Sequence, residues 1–90
     1  LDMVMHSRGS GTNATIDTRI IARAALVKKA YAVALTHNHP SGDPRPSSAD
    51  VSVTLELRDA LNLFNIRLLD HLVVGNAANR YVSMVEEGML

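Results

Sequence analysis

The sequence holds no cysteine and no tryptophan, and its only aromatic residues are Tyr31, Phe64 and Tyr81. Without cysteine no disulfide can brace the chain. Three scattered aromatics leave no stacking platform for single-stranded nucleic acid. An excess of charge of one sign is also missing, because nine Lys and Arg balance nine Asp and Glu, and Lys28-Lys29 is the one adjacent basic pair. Affinity for nucleic acid comes largely from neutralising phosphates with a basic face, so direct nucleic-acid binding is not expected of this domain. No apolar run approaches the ~20 residues of a spanning helix, which argues against a membrane role. Leu1 opens the chain without the basic and apolar regions of a signal peptide, and the lack of cysteine agrees with a cytoplasmic location. Outside the secretory route, Asn13-Ala14-Thr15 is a chance match to the glycosylation pattern.

What is present is an ordinary globular composition, 47% hydrophobic and 20% charged over 90 residues, which sets one small domain and excludes disorder. A domain of this size buries only about 60 to 65% of its unfolded surface. Further stabilisation is therefore expected from a bound metal, from self-association into a homo-oligomer, or from additional chain. Leu1 to Ser7 alternates like a short strand, and Arg8 to Asn13, with Gly9, Ser10 and Gly11, reads as a loop. Asp17 or Thr18 can cap a helix over Arg19 to Lys29, with Ile20, Ile21, Ala24 and Val27 at helical spacing and the two lysines in its last turn. Tyr31 to Leu35 is continuously apolar, the mark of a central strand covered on both faces. All three prolines fall between His37 and Pro46, which makes that segment a loop. From Ser47 a second helix places Val53, Leu57, Ala60, Leu61 and Phe64 on one face and Ser52, Glu56 and Asp59 on another. Ile66 to Val74 reads as a strand, Gly75 to Asn79 as a turn, and Arg80 to Met84 as a strand pairing back. The order predicts an α/β domain, a mixed β-sheet flanked by helices.

The chemistry concentrates after the central strand. In extended chain His37 and His39 point the same way while Asn38 points away, so two imidazoles converge, which is the start of a metal site. Spacing of this kind is a weak signal alone. Asp50 strengthens it. It lies in line with Leu57 and Leu61, so it faces the core, where an unpaired carboxylate costs several kcal/mol. Ser47-Ser48-Ala49-Asp50 is equally a capping box, which accounts for Ser47 and Asp50 but not for the histidines. A site of His37, His39 and Asp50 accounts for all of them and leaves a fourth tetrahedral position open, as catalytic zinc sites do. The carboxyl ends of strands in layered α/β domains are where ligands bind. Ser47, at a helix N-terminus beside the metal, is the candidate catalytic side chain, its hydroxyl placed to donate to a developing oxyanion.

His37-x-His39-Pro40 followed by Ser47-x-x-Asp50 resembles the JAMM signature of MPN-type metallopeptidases. His37-Asn38-His39-Pro40-Ser41-Gly42-Asp43 resembles its bacterial RadC branch, as do Pro46-Ser47, Ala49-Asp50, Leu69-Asp70-His71-Leu72 and the ending Ser83 to Leu90 with Glu87-Gly88. The resemblance covers nearly the whole chain. It implies a three-layer cytidine-deaminase-like fold and one zinc ion held at His37, His39 and Asp50. It also implies hydrolysis of a peptide or isopeptide bond in a protein substrate.

The signature also contains a glutamate ahead of the first helix that acts as general base. Glu56, Glu86 and Glu87 do not match it: Glu56 belongs to a polar helix stripe and the other two to a solvated end. Because the resemblance places that glutamate upstream of Leu1 to Ser7, the expectation is a single JAMM/MPN-type domain over residues 1–90 that lacks its first strand. A non-catalytic metal-binding interaction module is the alternative, although such members of the superfamily usually lose their ligands. A DNA-repair association, the family's traditional label, is a third reading; longer members carry a separate helix-hairpin-helix segment for it. His71 reads as a strand histidine bonded to backbone, with a supporting or substrate-facing role for Asp70 and His71 as the alternative, and His6 reads as a surface residue.

Overall fold

The computed structural model describes residues 2–8, 17–39, 44–75 and 80–90, and for residues 2–8 the backbone alone. Its elements are β1 (Asp2–Arg8), α1 (Thr18–Val27), β2 (Ala32–Asn38), α2 (Ser48–Asn62), β3 (Arg67–Val74) and β4 (Tyr81–Ser83). They form one four-stranded sheet in the order β1-β2-β3-β4, with β1, β2 and β3 parallel and β4 antiparallel to β3. Two successive crossovers that step in the same direction, both right-handed as βαβ units are, leave their helices on one side of the sheet. Accordingly, Ile21 and Ala25 of α1, Leu57 and Leu61 of α2, Val33 and Leu35 of β2, and Leu68 of β3 share a single core. The α/β class and the mixed sheet are as expected, and β2 is central. Among the described residues both helices lie on the same face, so what is seen is one helical layer on one sheet.

Caps fix the helix limits. Asp17 accepts the amide of Arg19 at 3.0 Å and starts α1. At the other end Lys29 takes φ 53°, with Ala30 N donating to Ala25 O and Lys29 N to Leu26 O. α2 ends the same way at Asn65, φ 58°, with Ile66 N donating to Leu61 O. Both are Schellman closures, in which a left-handed residue lets the outgoing chain satisfy the last carbonyls and the flanking apolar pair packs.

These closures correct two expectations. Lys28 and Lys29 lie beyond the last turn of α1, and Phe64 lies beyond α2 and is half-exposed. On α1 the buried pair is Ile21 and Ala25, while Ile20 and Val27 are 63% and 69% exposed. The face of α1 that enters the core is the one carrying Ile21 and Ala25, and Ile20 and Val27 lie off it. The second strand also runs further than expected, through His37 to Asn38, because β1 and β3 pair with it over its whole length. The stretches Arg8 to Asn13 and Gly75 to Asn79 lie largely, and His6's side chain, Pro40 to Asp43 and Asn13-Ala14-Thr15 wholly, outside the described residues.

Between Val33 and Ala34 the β2–β3 register skips a residue, since Val33 faces Leu68 and Ala34 faces Asp70. Leu69 is therefore a bulge, and bulges re-aim the side chains that follow. Without it Leu68, Asp70 and Leu72 would share the helix face. With it His71 and Val73 join Leu68 in burial, and Leu69 is left 42% exposed.

Candidate metal centre

His37 and His39 stand on the last part of β2 and just beyond it, and His39 is held there by its amide donating to Val74 O at 2.9 Å. Their rings meet edge to face, 4.8 Å between centres and 85° between planes, as two residues apart on a strand should. Asp50 reaches them from the first turn of α2. The ligand atoms of His37, His39 and Asp50 all lie within 4.8 Å of one another. His39 Nε2 and Asp50 Oδ2 are 3.4 Å apart, close to the roughly 3.3 Å that two ligands with bonds of about 2.0 Å take at a tetrahedral zinc. The His39 and Asp50 side chains are 16% and 13% exposed, and His37 is 1% exposed.

The capping box and the ligand cluster are both realised. Ser47 Oγ accepts the Asp50 amide at 3.1 Å, and Asp50 Oδ2 accepts the Ser47 amide at 2.9 Å. The box orients the carboxylate toward the histidines instead of competing for it. Ser47 is exposed, and because its oxygen accepts from Asp50, its hydroxyl proton is not used by the cap.

The electrostatics suit a cation. Burial, then the neighbouring His39, lowers the pKa of His37, with Asp50 pulling weakly the other way. His37 is thus held neutral, the form that ligates metals. Both of its ring nitrogens are buried without a hydrogen-bond partner in the protein. Such orphaned atoms are costly unless something satisfies them. Two imidazoles and a carboxylate are a donor set that zinc accepts, so these residues could hold a metal ion.

Around the cluster lie two residues that the sequence reading placed differently. His71, fully buried, bonds through Nδ1 to the Thr54 hydroxyl at 2.9 Å and not to backbone, and its ring lies 5.9 Å from that of His37. Burial, with His37 next in effect, pushes its pKa down to about 4. Thr54 was not foreseen; a polar residue one turn after Asp50 on the core face is the signal that could have found it. Asp70 has turned away. Its carboxylate accepts the amides of His71 at 2.7 Å and Val85 at 3.1 Å and the Ser83 hydroxyl, pinning the C-terminal turn to β3. Glu56, Glu86 and Glu87 are exposed, as expected.

A mixed sheet whose central strand brings two histidines at its end beside an aspartate on the next helix fits a JAB-type domain. Consistent with it, residues 1–89 match the family described as the RadC-like JAB domain. A UPF0758 protein of Stenotrophomonas maltophilia is 51% identical over 82 residues, 91% of this chain and 34% of that protein. A UPF0758 protein of Vibrio cholerae is 48% identical over 83 residues, 92% of this chain and 51% of its own length. One from Clostridium beijerinckii is 37% identical over 83 residues, 92% of this chain and 35% of that protein. The chain belongs to the RadC-like JAB domain family. It spans about a third to a half of the length of these relatives.

Proposed function

We propose that this domain is the metal-binding hydrolase unit of its protein, acting with one zinc ion on a peptide or isopeptide bond of a protein substrate. The observation that carries the reading is the cluster itself: three ligand-type side chains with donor atoms within 4.8 Å, built around a buried imidazole with both nitrogens unpartnered, in a chain of the RadC-like JAB family. His37, His39 and Asp50 would hold the metal. A zinc ion held there would supply Lewis acidity toward a water and a carbonyl oxygen. The chain's own part is to orient and donate. The capping box fixes Asp50, burial keeps His37 neutral, and the exposed Ser47 hydroxyl at the N-terminus of α2 would donate to an oxyanion.

The described residues offer no buried glutamate at the cluster to take a proton. In this reading the general base belongs to another part of the whole protein, and the same holds for the third layer of a cytidine-deaminase-like arrangement. General acid–base help is worth roughly 100- to 10,000-fold. The 90-residue chain should therefore bind zinc and yet be silent against a peptide and isopeptide library, while the whole protein cleaves. A chain that cleaves as fast as the whole protein would place the base within it.

The missing base favours a second reading, a non-catalytic metal-binding interaction module. Zinc-loaded whole protein that leaves the entire library intact but captures an intact protein partner supports that reading. The balanced charge of these 90 residues presents no excess of basic side chains to neutralise phosphates, so neither reading has this domain contact nucleic acid directly. Among the described residues no helix is long and apolar enough to cross a membrane. Cytoplasmic location and homo-oligomer formation belong to the proposal, and fractionation and sedimentation check them.

A further inference from the structure

Thr54 is buried on the side of α2 that faces the sheet, one turn after Asp50. Its hydroxyl oxygen lies 2.7 Å from the carbonyl oxygen of Asp50 and 2.9 Å from Nδ1 of His71. A carbonyl only accepts, so the single hydroxyl proton goes to Asp50, and the hydroxyl must accept from His71. His71 therefore carries its proton on Nδ1. Its Nε2 is left as a lone pair, buried and without a partner in the protein.

His37 presents the complementary need. A neutral imidazole has one lone pair and one N–H, and when the lone pair binds metal the N–H requires an acceptor that fixes the tautomer and the ring. Both His37 nitrogens are unpartnered, and among the described residues the one other buried side-chain atom in that condition, besides His71 Nε2, is Thr18 Oγ1 in the first turn of α1. His71 stands diagonally across the β2–β3 ladder from His37, with Leu35 opposite His71 and His37 opposite Val73. Their rings are 5.9 Å apart between centres and 27° from parallel, near enough for one water or a small approach to join them. The bulge at Leu69 is what turns His71 to this face, and Thr54 ties the same residue to the helical turn that carries Asp50.

We propose that Thr54 and His71 are positioning residues of the metal centre, an inference that rests on the zinc reading above. The Thr54 hydroxyl fixes the tautomer of His71, and His71 Nε2 accepts the remaining N–H of His37, directly or through one water, so that His37 offers a single nitrogen to the metal. One hydroxyl thereby couples the ligand on β2 to the ligand on α2.

The test uses the 90-residue chain as wild type, Thr54→Val, Thr54→Ser and His71→Gln. Zinc affinity is measured by competition with a chromophoric chelator, and histidine tautomers by long-range proton–nitrogen correlation NMR. Thr54→Val keeps the shape and removes the hydroxyl. It should weaken zinc binding about 10-fold or more and leave the His37 nitrogens averaged between tautomers, and His71→Gln should likewise weaken binding. Thr54→Ser restores the hydroxyl and should bind within about threefold of wild type, since the link depends on that group. Lower melting temperatures with unchanged zinc affinity in Thr54→Val and His71→Gln would show a merely structural role and overturn the inference. So would a wild-type His71 protonated on Nε2, a result that needs no variant to fold. Wild type that takes up no zinc refutes the metal reading itself; wild type that binds zinc beside an equally competent Thr54→Val refutes this inference alone.

Discussion

At the scale of single residues, the site is made by groups that burial forces to be neutral or paired. His71 shows the consequence for stability. Its pKa is about 4 in the folded chain against 6.5 for the ordinary group, so as pH falls the unfolded state takes up the proton first. The stability that the neutral residue contributes is complete above pH 6.5 and is lost as pH falls toward 4. The loss is on the order of 3 kcal/mol across the window. His37, shifted the same way, adds to it. Urea unfolding of protein kept in chelator, at steps between pH 7.5 and 4, should show this decline and a shallower one in His71→Gln. A flat profile would contradict the burial argument. Asp70 works in the opposite manner, as an acceptor of several hydrogen bonds. Hydrogen bonds to charged groups contribute about 1.5–3 kcal/mol each. Asp70→Ala should therefore lower stability by roughly 3 kcal/mol, with the largest rise in amide exchange over residues 84–90.

At the scale of elements, helix ends and one bulge decide where the chemistry lands. The Ser47 cap starts α2 and aims Asp50 in a single motif, so Ser47→Ala should cost about 1 kcal/mol of stability and also weaken zinc binding. A loss of stability with unchanged zinc affinity would separate the two roles. Lys29 occupies a left-handed position, φ 53°, that glycine adopts freely. Lys29→Gly should gain up to about 1 kcal/mol by this route, read as a higher denaturation midpoint. Much of this scale was legible in the sequence. Six elements, their order and the inward direction of His37, His39 and Asp50 follow from periodicity and spacing. The bulge did not, because Leu68 to Val74 carries apolar residues on both phases and the register is chosen by pairing with β2. Nor did the packing of α1, which buries Ile21 and Ala25 and leaves Ile20 and Val27 exposed, because contacts with the sheet and α2 choose among the apolar positions. The ligand cluster was readable because its residue types are rare in a core. The Thr54–His71 pair was not, because it joins residues that only the register brings together.

At the scale of the whole molecule, a Cys-free chain of 90 residues has a small core and gathers three ligand-type side chains, His37, His39 and Asp50, in one cluster. A metal that binds the folded chain alone adds its binding free energy to folding. With free zinc at 100 times Kd this is about 2.7 kcal/mol, which for a domain of this size raises Tm by roughly 10 °C or more. Addition of chelator to zinc-loaded protein should reverse the gain, and an unchanged melting curve with metal loss verified would show a site uncoupled from folding. The central claim is that His37, His39 and Asp50 form one metal site, and its most direct test is the zinc content of purified, zinc-equilibrated protein by elemental analysis. The account predicts close to one zinc per chain for wild type and almost none for His39→Ala or Asp50→Ala at equal folded content. Wild type without zinc, or ligand variants that retain it fully, would contradict it.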